Sequence, residues 1–223
     1  MYNKVLSVIL VILIIAITGT LAFLGYGYYR KHKINKDAEV FLDGELEEYY
    51  VQLDEAKQEH DFDEEDPENN NENSNGNGNS YYGGIDTNSL VYKGYKVAGK
   101  LEMPTINIRY PILDTITDAN AIEISVGILY GPGINQIGNT TIIGHNYNNG
   151  LFFGKNKNLQ VGQKIYITDM QGQKLEYTIF DKYYTPESDT SYITRQTDGK
   201  IEVSLVTCDT TGANRLVVCA RVE

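Results

Sequence analysis

Hydrophobic and polar positions change their rhythm three times along the chain. Val5 to Leu24 is a 20-residue stretch without a charge, built mostly of Val, Ile and Leu. At the helical rise this is long enough to cross a hydrocarbon core. The apolar region of a signal peptide is shorter, about 7 to 15 residues, and ends at a small-residue cleavage site, so the stretch reads as an uncleaved anchor. Apolar residues then recur at Ala38, Phe41, Leu42, Leu46, Tyr49, Leu53 and Ala56, a spacing that fits one face of a helix. It predicts a helical stalk from about Lys36 to Glu59, read as a solvated spacer.

Asp61 to Ser80 is made almost entirely of Asp, Glu, Asn, Gly and Ser, with almost nothing to bury, which predicts a flexible, self-repelling tether. From Tyr81 onward short runs are divided by Gly, Asn, Asp and Pro, the texture of an antiparallel β domain. The predicted strands are Val97 to Leu101, Ile106 to Leu113, Thr140 to His145, Lys164 to Thr168, Lys174 to Tyr184, Lys200 to Thr207 and Arg215 to Val222. A helical turn is expected over Asp118 to Ser125, and Asp169 to Gly172 reads as a hairpin loop. The domain plan is therefore an anchor over 1–33 with its span at about 5–24, an acidic stalk and linker over 34–80, and a mostly β barrel or sandwich over 81–223.

Charge sharpens this division. The net charge is -11, yet residues 37–72 hold 16 Asp or Glu against Lys57 alone, whereas 81–223 hold 13 basic and 14 acidic side chains. The folded part is nearly neutral, which gives no support for a nucleic-acid reader. Arg30, Lys31 and Lys33 after the span outweigh Lys4 before it, and the positive-inside bias alone would put the domain in the cytoplasm.

Candidate chemistry is sparse. Of three histidines only His145 falls in the β domain, and the two cysteines are Cys208 and Cys219. No zinc pattern can be drawn from so few ligands, which leaves cysteine nucleophile chemistry with His145 as the available partner. In the last two strands the apolar alternation Ile201, Val203, Leu205 and Leu216, Val218, Ala220 defines matching faces. Pairing those faces sets Leu205 across from Val218, Val203 across from Ala220, and Cys208 across from Arg215. Cys219 falls opposite Ser204, about 13 Å along the strand from Cys208 at ~3.3 Å per residue. A disulfide tolerates roughly 7 Å between Cα atoms, so both thiols are expected free, with Cys219 a packed small hydrophobe. A thiolate is favoured by neighbouring positive charge, which makes Cys208 beside Arg215 the functional candidate.

Ser204-Leu205-Val206-Thr207-Cys208 resembles the Thr-Leu-x-Thr-Cys signature of sortases, with Ser in place of the first Thr. Arg215-Leu216-Val217-Val218 follows at the spacing of the sortase arginine. Gly138 to Asn146 resembles the sortase histidine segment, and Met103 to Ile108 with Tyr110-Pro111-Ile112 resembles the opening strands of the family. The likeness runs from about Lys93 to Glu223 and gives the order His, Cys, Arg.

The resemblance implies a closed eight-stranded sortase-type β-barrel with short helices, carried outside a Gram-positive cell membrane by a single N-terminal transmembrane helix and stalk. That location runs against the flank charges, a conflict that long translocated domains tolerate. It implies a cysteine transpeptidase with catalytic His145, Cys208 and Arg215. Cys208 would cleave a Leu-Pro-x-Thr-Gly-like sorting signal of secreted proteins, and a peptidoglycan precursor amine would take up the acyl group. Within the family, a class A-like or class D-like enzyme is expected: the acidic tether ahead of the barrel has no evident Asp-Pro-aromatic lid, which disfavours the pilin-polymerising type, and only about 15 residues separate Tyr184 from Lys200, little room for the helical insertion of class B. No cofactor or metal is required, although Glu187, Asp189 and Asp198 in that connection could hold Ca²⁺ as loop carboxylates do in some sortases. Two rival readings use the same residues: a tethered cysteine protease that hydrolyses, and a non-catalytic surface binding module.

Overall fold

Barrel closure decides where the functional side chains lie, and the computed structural model shows it for a chain described over residues 2–63, 81–82, 85–86, 90–116 and 118–223. Eight strands take part: β1 (Tyr95–Met103), β2 (Ile108–Leu113), β3 (Val126–Tyr130), β4 (Gly138–Ile143), β5 (Lys164–Asp169), β6 (Lys174–Pro186), β7 (Ile201–Cys208) and β8 (Asn214–Arg221). They are ordered β1-β2-β3-β4-β7-β8-β6-β5, and β1 pairs with β5 to close the sheet. Val91–Tyr92 pairs with β1, and Tyr81–Tyr82 and Ile85–Asp86 form a separate two-stranded sheet.

The sheet departs from the expected all-antiparallel texture in two places. β2 runs parallel to β3, and β4 runs parallel to β7. A parallel pair needs a long crossover; the 57 residues between Ile143 and Ile201 supply one and carry β5 and β6 within it. β3 itself was absent from the strands predicted by alternation. Its run Val-Gly-Ile-Leu-Tyr does not alternate, and it has only two register partners on β2. Strand β1 and strands β5 to β8 fall where predicted within a few residues. The second predicted strand loses its start, because Pro104–Ile106 forms a 3-10 turn. The β5–β6 hairpin closes with Gly172 at φ 78°, while the Asp169 carboxylate accepts from the Gln171 and Gln173 amides.

The chain divides into two compact units, residues 1–37 and 38–223. The first lies within helix α1 (Tyr2–Asp43), where an 18-residue window reaches a mean hydropathy of 2.8 with its side chains exposed. Length and composition make it a helix able to cross a membrane. The second unit holds the end of α1, helix α2 (Glu45–Asp63) and the barrel. Here the solvated-spacer reading is corrected. Phe41, Leu42, Leu46, Tyr49 and Leu53 are buried and pack with Tyr92, Val97, Leu113, Ala121 and Met170 of the barrel side. The predicted apolar stripe is thus a docking face. Tyr49 donates to the Met170 carbonyl at 2.8 Å, Lys57 Nζ to the Gln171 carbonyl at 2.7 Å, and Arg109 meets Asp43 at 2.8 Å. The tether expected over Asp61 to Ser80 lies beyond Asp63 outside the described residues, and the side chains from residue 59 likewise.

Burying one Leu of this stripe contributes about 1.5–3 kcal/mol, and truncation leaves a cavity besides. Leu53→Ala, at a fully buried position, is therefore expected to destabilise the 38–223 unit by about 2–5 kcal/mol, read as a lower denaturant midpoint. Val51→Ala on the exposed face of the same helix should leave the midpoint nearly unchanged.

Candidate active site

Three neighbouring strands deliver the candidate residues to one end of the barrel. In the parallel pair β4–β7, Val206 stands beside Ile143, so two steps further along each strand Cys208 comes level with His145. In the antiparallel pair β7–β8, Cys208 is the register partner of Arg215, and Leu205, Val203 and Ser204 face Val218, Ala220 and Cys219 as the alternation predicts. Adjacent strands lie roughly 4.8 Å apart, so the three backbone positions span about two strand spacings. β4 ends at Ile143, which leaves His145 in the segment after the strand rather than at its end.

Side chains of the motif fasten these strand ends together. Thr207 Oγ1 donates to the Gly144 carbonyl at 2.7 Å, and Asn146 Nδ2 donates to the Cys208 carbonyl at 2.8 Å. Gly144 is required by space: a Cβ there would meet Val126 Cγ1 at 2.8 Å. The Phe153 amide donates to the His145 carbonyl at 3.0 Å. The backbone of His145 is thus tied to the 151–153 loop on one side, and its neighbours to β7 on the other.

The turn from β7 to β8 sets the Cys208–Arg215 register. Asp209 accepts from Thr211 and from Asn214 Nδ2 at 2.9 Å, and its amide donates to the Asn214 carbonyl at 2.9 Å. The hydrogen bond from Asn214 above all, with those from Thr211 and the backbone amides, holds the Asp209 carboxyl down to about 2 against desolvation.

β7 is buried on both faces, where the alternation had placed its apolar side chains on one. Val203 and Leu205 turn to the barrel interior. On the outer face Val206, Val217 and Cys219 are covered by Tyr192, with Ile143, Phe180, Tyr183 and Ile193 packed around them. The segment between β6 and β7 is pinned there by polar contacts. Asn139 Nδ2 donates to the Tyr192 carbonyl at 2.7 Å, Ser204 Oγ to Asn139 Oδ1 at 2.9 Å, and Arg195 meets the buried Glu202 at 2.6 Å. Burial raises the Cys219 thiol against the pull of Arg195 and Ser204, which suits a packed residue. Both cysteines are free, as expected.

The end of β7 emerges from this cover. Cys208 is half-buried and lines a cavity of about 170 Å³ with Asn146, Phe153, Lys157, Tyr184 and Leu216. A groove of about 740 Å³ runs between Tyr130–Gly133 and the segment at Ile193–Gln196. His145 and Arg215 each engage a carboxylate. Arg215 pairs with Glu187 and donates Nη1 to the Gly212 carbonyl at 3.1 Å. His145 Nε2 lies 3.1 Å from Glu123 Oε1 on helix α3 (Ala119–Ile124). The sequence reading missed Glu123, Asn146 and Tyr192, which no local pattern distinguishes. Of the three loop carboxylates that could hold Ca²⁺, Glu187 pairs with Arg215, and Asp189 accepts from Thr185 and the Ser191 amide. Among the described residues no group of three His, Cys, Asp or Glu stands close enough together to hold a metal ion.

The sortase domain family model matches residues 101–223. The chain belongs to the sortase family. Solved structures agree. Sortase A from Corynebacterium diphtheriae is 28% identical with a TM-score of 0.52, over 58% of this chain and 62% of that one. Its lid mutant gives 26% and 0.54, over 62% and 75%. A sortase D5 transpeptidase of Clostridium perfringens gives 25% and 0.52, over 57% and 79%. The chain thus spans less than two thirds of the length of the first of these. No curated protein matches its sequence. Relatives of classes A, C and D share the fold, which leaves the subclass open between them.

Two outcomes follow from the pinned segment and the turn. Arg195→Ala strands the buried Glu202 carboxylate, and unpairing a buried ion pair costs about 3–5 kcal/mol; chemical denaturation should show that loss, with faster proteolysis within 187–199. The Asp209 carboxyl titrates lower in the folded turn than in the unfolded chain. Its contribution is therefore complete above about pH 4, the ordinary aspartate value, and disappears as pH falls through about 2. Amide exchange of Gly212 and Asn214 should accelerate over that window, and Asp209→Asn should abolish the pH dependence.

Proposed function

We propose that this sortase is a single-pass enzyme of the cell membrane, with its barrel outside the cell. It joins secreted proteins bearing a Leu-Pro-x-Thr-Gly-like sorting signal to an amine of a peptidoglycan precursor. The observation that carries the reading is the register of Cys208 with Arg215 on β7 and β8, together with the β4–β7 pairing that brings His145, two residues past the end of β4, to the same end of the barrel. A lone thiol at a strand end would not require it.

In the first half-reaction the Cys208 thiolate adds to the Thr–Gly carbonyl carbon, and the C–N bond breaks as His145 gives a proton to the leaving amine. The product is a thioester. In the second, an incoming amine adds to that thioester, His145 takes the surplus proton, and the sulfur leaves as thiolate. Arg215 stays charged at neutral pH and cannot serve as proton donor. Its task is charge-assisted hydrogen bonding to the carbonyl oxygen as negative charge develops, for which the guanidinium exchanges Glu187 for substrate. Tyr184 and Leu216 in the cavity beside Cys208 offer apolar walls that limit water at the thioester.

Mass spectrometry of the full chain in detergent micelles, incubated with sorting-signal peptides, tests the reading. A thioacyl adduct on Cys208 is expected, absent in Cys208→Ala, with ligated product appearing only when an amine is supplied. Cleavage indifferent to amine would replace transfer by hydrolysis, and no adduct with any peptide would remove the enzymatic reading. Arg215→Lys keeps the charge but loses the fork, and a drop of about 100-fold in kcat is expected, as for loss of one oxyanion donor.

A further inference from the structure

The contact of His145 with α3 gives the site a member that the motif order His, Cys, Arg does not contain. The geometry points to Glu123 as a positioning residue that fixes the orientation and tautomer of the His145 imidazole. This deepens the transpeptidase reading and rests on it.

Both oxygens of Glu123 are committed to one small cluster. Oε1 lies 3.1 Å from His145 Nε2, and Oε2 accepts from the Tyr147 hydroxyl at 2.6 Å. The Tyr147 ring lies 5.1 Å from the imidazole and 6.0 Å from Phe152, which is fully buried. One carboxylate therefore holds the imidazole directly and, through Tyr147, the ring that packs against it. The support of Glu123 is itself rigid. α3 is capped by Asp118, whose carboxylate accepts from the Asn120 and Ala121 amides at 2.7 and 3.2 Å, and its Ala121 is fully buried. The backbone of His145 is fixed independently by the Phe153 amide and by the Asn146 bond to Cys208. A ring held at its backbone, one face and one nitrogen has little rotational freedom left.

The chemistry of the pair decides the tautomer. An ionised carboxylate only accepts, and a neutral imidazole carries one N–H and one lone pair. Nε2 facing Glu123 is therefore the nitrogen that bears the hydrogen, which leaves Nδ1 to pass protons to and from the amine. Without Glu123 both tautomers and other ring orientations become accessible, and the productive fraction falls. The role assigned to the pair is in proton transfer, so the effect belongs in kcat rather than KM.

The experiment uses the full chain in detergent micelles, labelled with 15N-histidine, together with Glu123→Ala, Glu123→Gln and Tyr147→Phe. Long-range proton–nitrogen correlation reads the neutral tautomer of His145, assigned by substituting His32 and His60. Predominance of the Nε2–H form is expected in the parent protein, a mixed population in Glu123→Ala, and an intermediate one in Glu123→Gln, whose amide oxygen still accepts. Ligation kinetics should show kcat lowered about 100-fold in Glu123→Ala, at the low end of what a placed general acid–base contributes, with KM within about twofold. Tyr147→Phe should lose only a few-fold, because the carboxylate keeps its contact with the imidazole. An unchanged tautomer ratio in Glu123→Ala, or kcat within twofold of the parent, overturns the assignment. If the parent protein forms no thioacyl adduct, the transpeptidase reading falls, and the tautomer measurement still judges Glu123 alone.

Discussion

The parallel pairing of β4 with β7 is the constraint on which the site depends. Each strand carries one member of the candidate pair beyond its last paired residue, so the level of His145 against Cys208 is set by six backbone register pairs, Ile201 with Gly138 through Val206 with Ile143. Side-chain flexibility has little part in it. A slip of one residue would turn Cys208 to the other face of the sheet and separate it from the histidine. Thr207 and Asn146 act at the open end of this ladder, where strands fray most readily, and carry its order past the last paired residues to Gly144 and Cys208.

Electrostatics around that ladder are organised in two tiers. Within the cover, Arg195 and Glu202 neutralise each other beside Asn139 and Ser204, so that a segment without regular structure can lie on the sheet without stranding charge. At the rim, Glu123 meets the His145 imidazole and Glu187 the Arg215 guanidinium. The two rim pairs differ in their support. Glu123 sits on a capped helix and shares its load with Tyr147, whereas Glu187 is 67% exposed at the end of β6. The first suits a fixed relation, the second an exchangeable one.

Much of this was legible in the residues, for reasons that can be named. The β7–β8 register follows from alternation within two adjacent strands, and Leu205 opposite Val218 forces Cys208 opposite Arg215. The stripe from Ala38 to Ala56 is likewise a local pattern, and every member is buried; what lies against it, Met170 and Tyr92, is a matter of tertiary packing that spacing cannot show. β3 escaped because Val126 to Tyr130 has no alternation, and the parallel pairs escaped because their partners are decided across 57 intervening residues. Glu123 escaped for a different reason. It stands in the helical turn expected over Asp118 to Ser125, but a single glutamate there carries no sign of the imidazole 22 positions on. The identity of the family came from the segments around His145, Cys208 and Arg215 together, where local pattern and long-range geometry coincide.

The cover over β7 also separates the two sulfurs chemically. Cys219 lies beneath Tyr192 with 1% of its surface accessible, while Cys208 opens to a cavity. Nature has therefore supplied a single-thiol reagent target: an electrophile of modest size reaches one sulfur, and a fluorophore or crosslinker placed on it reports from the mouth of the barrel without any prior engineering of the chain.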